Sequence, residues 1–205
     1  MKVDTIVFDL GGVLIDWNPR YVFKEYFDDP AQMEWFFENI CTWDWNEEQD
    51  AGYPLAQATE DKLKEFHPEW QKEIKAYYGR WEEMLGEAIA GTVEILESVL
   101  ANPALRVYAL TNWSAETFPV ARERFEFLSR FEGIVVSGEE KMRKPQPEIY
   151  QIVLQRYGVN AENAVFIDDN LRNCLAAEKL GFKTIHFQSP ANTKNELRAL
   201  GVDVD

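Results

Sequence analysis

Basic charge is what this sequence most lacks. Its 205 residues carry 21 Lys and Arg against 36 Asp and Glu, a formal charge of -15, which argues against a nucleic-acid backbone as the main partner. Histidine and cysteine are scarce too. His67, His186, Cys41 and Cys174 form no ligand-spaced cluster, so no zinc site is expected, and the two thiols read as reduced packing residues. No apolar run approaches the roughly 20 residues of a membrane helix, and MKVDTIVFDL reads as a charged start entering a strand rather than as a signal peptide. The expectation is a cytoplasmic protein with no membrane partner. Internal repeats and low-complexity segments are also missing, and the oligomeric state is not legible. What the chain does hold is 46% hydrophobic residues, enough for one full core with a smaller inserted unit.

Short β-branched or apolar runs recur along it: TIVFDL (5–10), LRVYAL (105–110), GIVVS (133–137), AVFIDD (164–169) and FKTIHF (182–187). Between the later runs lie helical patterns over 115–128, 148–157 and 173–180, the last ending at Gly181 in the manner of a C-cap. Strands alternating with helices predict an α/β fold, a doubly wound Rossmann-like parallel sheet whose ligands bind beyond the carboxyl ends of the strands. The stretch 15–88 breaks the alternation. It contains no strand-like run, five of the seven tryptophans fall between Trp17 and Trp70, and 55–66 and 69–81 carry apolar residues at helical spacing. A stretch this long is not a loop. The expectation is a core formed by 1–14 and 89–205, re-entered through a helix at 92–100, with an inserted α-helical bundle cap at 15–88.

Four strand ends carry chemistry-bearing residues: Asp9-Leu10-Gly11-Gly12, then Thr111-Asn112, then Lys144-Pro145, then Asp168-Asp169-Asn170. Singly, each has an ordinary explanation as a turn, a helix cap or a surface dipeptide. Together they make a phosphoryl-transfer site. A carboxylate at Asp9 can attack phosphorus only if the surrounding negative charge is neutralised, which a divalent cation held by Asp168 and Asp169 does. Oxygen-only ligation suits magnesium. Thr111 offers a hydroxyl and Lys144 a point charge to the phosphoryl oxygens, while Gly11 and Gly12 let backbone N–H groups approach, with Asn112 beside them.

The order hhhDxG, a strand ending in Thr, Lys-Pro and hhhDD resembles the four motifs of the haloacid dehalogenase superfamily, and the insertion after the first motif resembles its helical-capped members. The resemblance implies that Asp9 is the nucleophile and a metal ligand. Thr111 and Lys144 would grip the phosphate, Asp168 and Asp169 would complete the Mg2+ site, and the backbone carbonyl of Gly11 would also bind the ion. A phosphatase acting on a small phosphorylated molecule, with a sugar phosphate as the guess, is the activity implied. One departure matters: most phosphatases of the superfamily carry a second Asp two residues after the nucleophile, as general acid and base, and here Gly11 stands there. Asp16, Asp44, Glu47 and Glu48 are candidates to replace it; without a replacement, the rate should depend steeply on leaving-group basicity. The cap segment 42–48 mixes aromatics with acids, and Trp45 is its candidate substrate contact. Two rivals remain: a 2-haloacid dehalogenase on the same Asp9, disfavoured by an acidic pair that repels itself without a cation, and a non-catalytic phosphometabolite-binding protein.

Overall fold

The computed structural model describes residues 2–66 and 68–204; His67, expected to take no part in a metal cluster, lies outside them. The first strand, β1 (Thr5–Phe8), leads through a short strand, β2 (Ile15–Trp17), into six helices: α1 (Arg20–Phe23), α2 (Pro30–Asn39), α3 (Trp43–Asp50), α4 (Leu55–Glu65), α5 (Gln71–Gly79) and α6 (Trp81–Met84). The chain returns through β3 (Leu85–Ala88) to α7 (Ala90–Leu100), β4 (Arg106–Thr111), α8 (Phe118–Arg124), β5 (Gly133–Val136), α9 (Ser137–Glu140) and α10 (Pro147–Tyr157). It closes with β6 (Ala164–Asp168), α11 (Leu171–Glu178), β7 (Lys183–His186) and α12 (Pro190–Ala199).

All five strand-like runs of the sequence enter one parallel sheet of order β5-β4-β1-β6-β7. Alternate residues of each strand face opposite layers. Ile6, Phe8, Val107, Ala109, Val165 and Ile167 pack in the cluster that takes in α7 and α8. Val7, Tyr108, Leu110 and Phe166 pack with Ile149, Tyr150 and Val153 of α10. Both faces are therefore covered, and the inner strands β1 and β6, buried at every residue, read as continuous apolar runs, while the edge strands β5 and β7 are partly half-buried. The helix expected to end at Gly181 ends at Glu178, and Gly181 itself takes φ +95° in the turn that follows.

The segment between β2 and β3 has a hydrophobic cluster of its own, with Phe23, Phe36, Ile74 and Tyr77 fully buried. Phe23 meets five rings at centroid separations of 5.1 to 6.3 Å, which accounts for the aromatic density of this stretch. Contrary to the expectation of helix throughout, 15–88 begins and ends in strand: Ile15 pairs with Ala88 and Trp17 with Leu85, antiparallel and with a register shift between them. Strands of three and four residues, half exposed and irregular, leave no alternation for the sequence to display. Among the described residues, no helix is long and apolar enough to cross a membrane.

Candidate active site

The register of the sheet gathers the singled-out residues. Phe8 lies level with Ala109 and Ile167, so Asp9, Thr111 and Asp168 leave the same edge. The Asp9 N–H donates to the Ile167 carbonyl at 2.8 Å, which fixes the turn after β1 to β6. Carboxylate oxygens of Asp9, Asp168 and Asp169 all lie within 4.8 Å of one another. Lys144 is fully buried among them, its Nζ 2.9 Å from Asp9 Oδ1 and 2.6 Å from Asp168 Oδ2. Asp168 is further held by the Asn170 N–H at 2.8 Å and by Asn173 Nδ2 at 3.0 Å. The His186 ring donates from Nε2 to the Asp169 carbonyl at 2.9 Å, steadying the turn whose Asp169 carboxylate points into the cluster against Gly12.

Electrostatics follow from this crowding. Burial, more than any other influence, pushes the Asp9 carboxyl well above the usual carboxylate range; Lys144 opposes this, and Asp168 and Asp169 add to it. Asp169 is also raised, by burial first and then by Asp168. For Lys144, burial works to lower the pKa, but Asp168 and Asp9 outweigh it and hold the ammonium above its ordinary value. Three carboxylates with one lysine leave a negative excess, and an oxygen-only donor set at this spacing fits a hard divalent cation. Thr111 is fully buried with its hydroxyl unpartnered, as are Thr92 and Thr193, and it stands behind the residues that line the cavity rather than among them.

The two glycines differ. Gly12 has φ +74°, and a Cβ there would lie 2.4 Å from Asp169 Oδ2, so this position needs glycine. At Gly11 an added Cβ meets nothing within 4 Å; the second acid of the family's usual pattern is missing where there is room for it. Gly12→Ala should lose about 1–2 kcal/mol from backbone strain alone and displace Asp169, whereas Gly11→Ala should melt as the wild type does. Parallel thermal melts compare the two directly, and equal melting temperatures would contradict the assignment of close approach to Gly12.

Asn112, expected at the substrate, lines the cavity but is fastened. Its Nδ2 donates to the Lys144 carbonyl at 3.1 Å, and its Oδ1 accepts from the Lys144 N–H at 2.8 Å. It positions the lysine. Trp45 is not brought to the site: it packs on Tyr77 and Tyr78 at 5.2 Å on the far side of α3, beside a separate hollow. The tryptophan of that segment which faces the strand ends is Trp43, two residues earlier.

Over the strand ends lies a cavity of about 180 Å³ lined by Asp9, Gly11, Gly12, Lys144 and Asp169 from the sheet side. Trp43, Asn46, Glu47 and Asp50 of α3 line it from the other. These four stand at i, i+3, i+4 and i+7, one face of a helix. Glu47 is buried and bonded to two guanidiniums, Arg143 at 3.0 Å and Arg172, which flank Lys144 and Asp169 in sequence. It joins the helical segment to the sheet at the site itself. Arg143, Arg172, Asn46 and Asp50 stand in no motif of the sequence; for Asn46 and Asp50 the helical spacing of 43, 46, 47 and 50 is the signal that sets them on one face with Trp43 and Glu47.

The haloacid dehalogenase-like hydrolase family model matches residues 3–181. The chain belongs to that family. A sesquiterpene phosphatase from Aspergillus oryzae is 30% identical over 95% of this chain and 94% of its own length. A phosphorylated carbohydrates phosphatase from Thermotoga maritima is 27% identical over 90% of this chain and 84% of its own. Among solved structures, a family enzyme from Bacteroides thetaiotaomicron in complex with magnesium and inorganic phosphate shares the fold, with a TM-score of 0.69, 24% identity and coverage of 91% of this chain and 95% of that one. The protein is a hydrolase of this family with phosphatases among its relatives, and its sheet order is that of a doubly wound α/β fold.

Proposed function

We propose that the protein is a magnesium-dependent phosphatase that transfers a phosphoryl group to Asp9 and then hydrolyses the aspartyl phosphate. The observation that carries this reading is the meeting of Asp9, Asp168 and Asp169 within 4.8 Å around a buried lysine. Asp9, Asp168, Asp169 and the Gly11 carbonyl would hold the ion, which supplies charge neutralisation for a dianionic substrate. Asp9 attacks, Lys144 holds the Asp9 and Asp168 carboxylates in place and offers its charge to the phosphoryl oxygens, and the Thr111 hydroxyl donates to one of them. Residues 15–88 act as a cap on a core of 1–14 and 89–205, excluding bulk water from the cavity.

The organic half of the substrate meets an aromatic wall of Trp17, Trp43, Tyr78, Trp81 and Trp113. Several of the amides that could bind sugar hydroxyls are already engaged: Asn112 with Lys144, Asn173 with Asp168, and Asn46 with Tyr78 and Asp50. A body with apolar faces, such as a terpenyl or aryl group, suits this lining better than the sugar guessed from sequence. The names of the fungal and Thermotoga relatives cover both classes, so a terpenyl phosphate against a hexose phosphate is the informative pair. Preferential turnover of the hexose phosphate would overturn the apolar reading.

Chelation tests the metal. Excess chelator should abolish turnover and added magnesium restore it, because three acidic groups and a phosphate dianion then face each other with one lysine between them. Full phosphatase activity in chelator would remove the acidic cluster from the account. Halide release from a 2-haloacid without metal would instead favour the dehalogenase.

A further inference from the structure

A phosphatase needs a proton for the departing alcohol, and the position two residues after Asp9 cannot give one. Of the acids considered from sequence, Asp16 accepts from the Tyr21 hydroxyl beside Gly86 and is turned away, while Asp44 and Glu48 are exposed. Glu47 reaches the cavity, but its oxygens are taken by Arg143 and Arg172. Apart from Asp169 of the acidic cluster, one further carboxyl among the described residues lines the same cavity as Asp9: Asp50, the last residue of α3. Its hydrogen-bond partners are neutral: Asn46 Nδ2 at 3.1 Å and the Ser114 backbone. The Asn46 amide is oriented in turn, since its Oδ1 accepts from the Tyr78 hydroxyl at 3.1 Å.

Asp50 belongs to the inserted helices but is fastened to the sheet. The Ser137 hydroxyl, at the end of β5, donates to the Asp50 carbonyl and accepts from the Trp113 N–H at 2.8 Å. Gly52, at φ +95°, passes so close to the Gly138 carbonyl that a Cβ would stand 3.1 Å from it. The Leu55 N–H donates to Glu116 Oε1 at 2.9 Å. Three successive tethers therefore set the end of α3 against the strand ends, the kind of support a proton donor needs to act at a fixed distance.

We infer that Asp50 is the general acid and base of the reaction, taking the role that Gly11 leaves open. The inference rests on the phosphatase reading above. As the bond between phosphorus and the bridging oxygen breaks, its electron pair stays on that oxygen, which takes the Asp50 proton and leaves as a neutral alcohol. Water then attacks the phosphorus of the aspartyl phosphate and gives a proton to the Asp50 carboxylate. The bond from phosphorus to Asp9 breaks with its pair returning to the Asp9 carboxylate, so phosphate leaves and both side chains are restored. The charge environment agrees: burial first, and then Glu47, raise the Asp50 carboxyl to about 7, against the Ser114 backbone, Arg143 and Lys144. Tyr77 and Tyr78 are the other titratable groups facing it. A pKa near the working pH suits an acid that must also serve as a base.

The test is single-turnover hydrolysis by the magnesium-loaded protein of an alkyl phosphate and an activated aryl phosphate, for wild type, Asp50→Asn and Asp50→Glu. Asp50→Asn should lose about 10²- to 10⁴-fold on the alkyl ester and much less on the aryl ester, whose leaving group needs no proton. Asp50→Glu should recover part of the alkyl rate. In the wild type, cleavage of the alkyl ester should fall as pH rises through about 7, a limb missing from the aryl ester. The two esters losing rate equally in Asp50→Asn, or an unchanged alkyl rate, would overturn the assignment. If Asp50→Asn fails to fold, the wild-type profiles decide alone, and parallel profiles for the two esters count against Asp50. Either failure leaves the phosphatase reading standing so long as Asp9→Asn is inactive; an active Asp9→Asn sinks that reading instead.

Discussion

Asp9→Asn is expected to melt at or above the wild-type temperature while losing more than about 10²-fold in turnover, a barrier increase of at least about 3 kcal/mol. The two halves have different causes. Turnover falls because an amide is no nucleophile toward phosphorus. Stability holds because the wild-type carboxylate is costly: burial, Asp168 and Asp169 raise its pKa, so in the apo protein ionising it weakens the fold as pH climbs above the ordinary carboxylate range. The neutral amide removes that cost, and Lys144 keeps its contact with Asp168. Circular-dichroism melts in the absence of metal, beside steady-state rates in its presence, measure both. Turnover above about a hundredth of wild type would mean that Asp9 is not the attacking group.

Lys144→Met carries the largest expected loss of stability. Lys144 is fully buried and touches two carboxylates. Methionine nearly fills its volume but leaves Asp9, Asp168 and Asp169 facing one another with no cation. Removing one partner of a buried ion pair typically costs about 3–5 kcal/mol. The sign with pH is fixed: the penalty is full where the carboxyls are ionised and shrinks as acid protonates them, so the deficit should be larger at pH 7 than at pH 5. Magnesium should restore part of it, because a ligand that binds the folded state adds stability by mass action. Melting curves at both pH values, with and without the ion, check this; a deficit independent of pH would mean that Lys144 supports the fold by packing alone.

The five sheet strands were readable because strands buried on both faces show as unbroken apolar runs, and the four motif positions were readable because each follows such a run. The β2–β3 ribbon was not, since Ile15, Asp16 and Trp17 are too few and too mixed to show a period. The insertion was recognisable as helical from spacing, but the rotation of each helix was not: with two tryptophans two residues apart, nothing in sequence says that Trp43 faces the strand ends and Trp45 the Tyr77–Tyr78 side. Asp50 was hidden for the same reason. Its significance comes from Ser137 and Gly138, nearly ninety positions away, which fix where the end of α3 comes to rest.

The covalent step on Asp9 is tested most directly by mixing protein, magnesium and substrate, quenching in acid within one turnover, and mapping the peptides by mass spectrometry. A phosphoryl group on the peptide bearing Asp9, formed and lost at rates compatible with turnover and missing from Asp9→Asn, is the predicted result. Turnover with no phosphorylated peptide, or with the phosphoryl group on another residue, would contradict it.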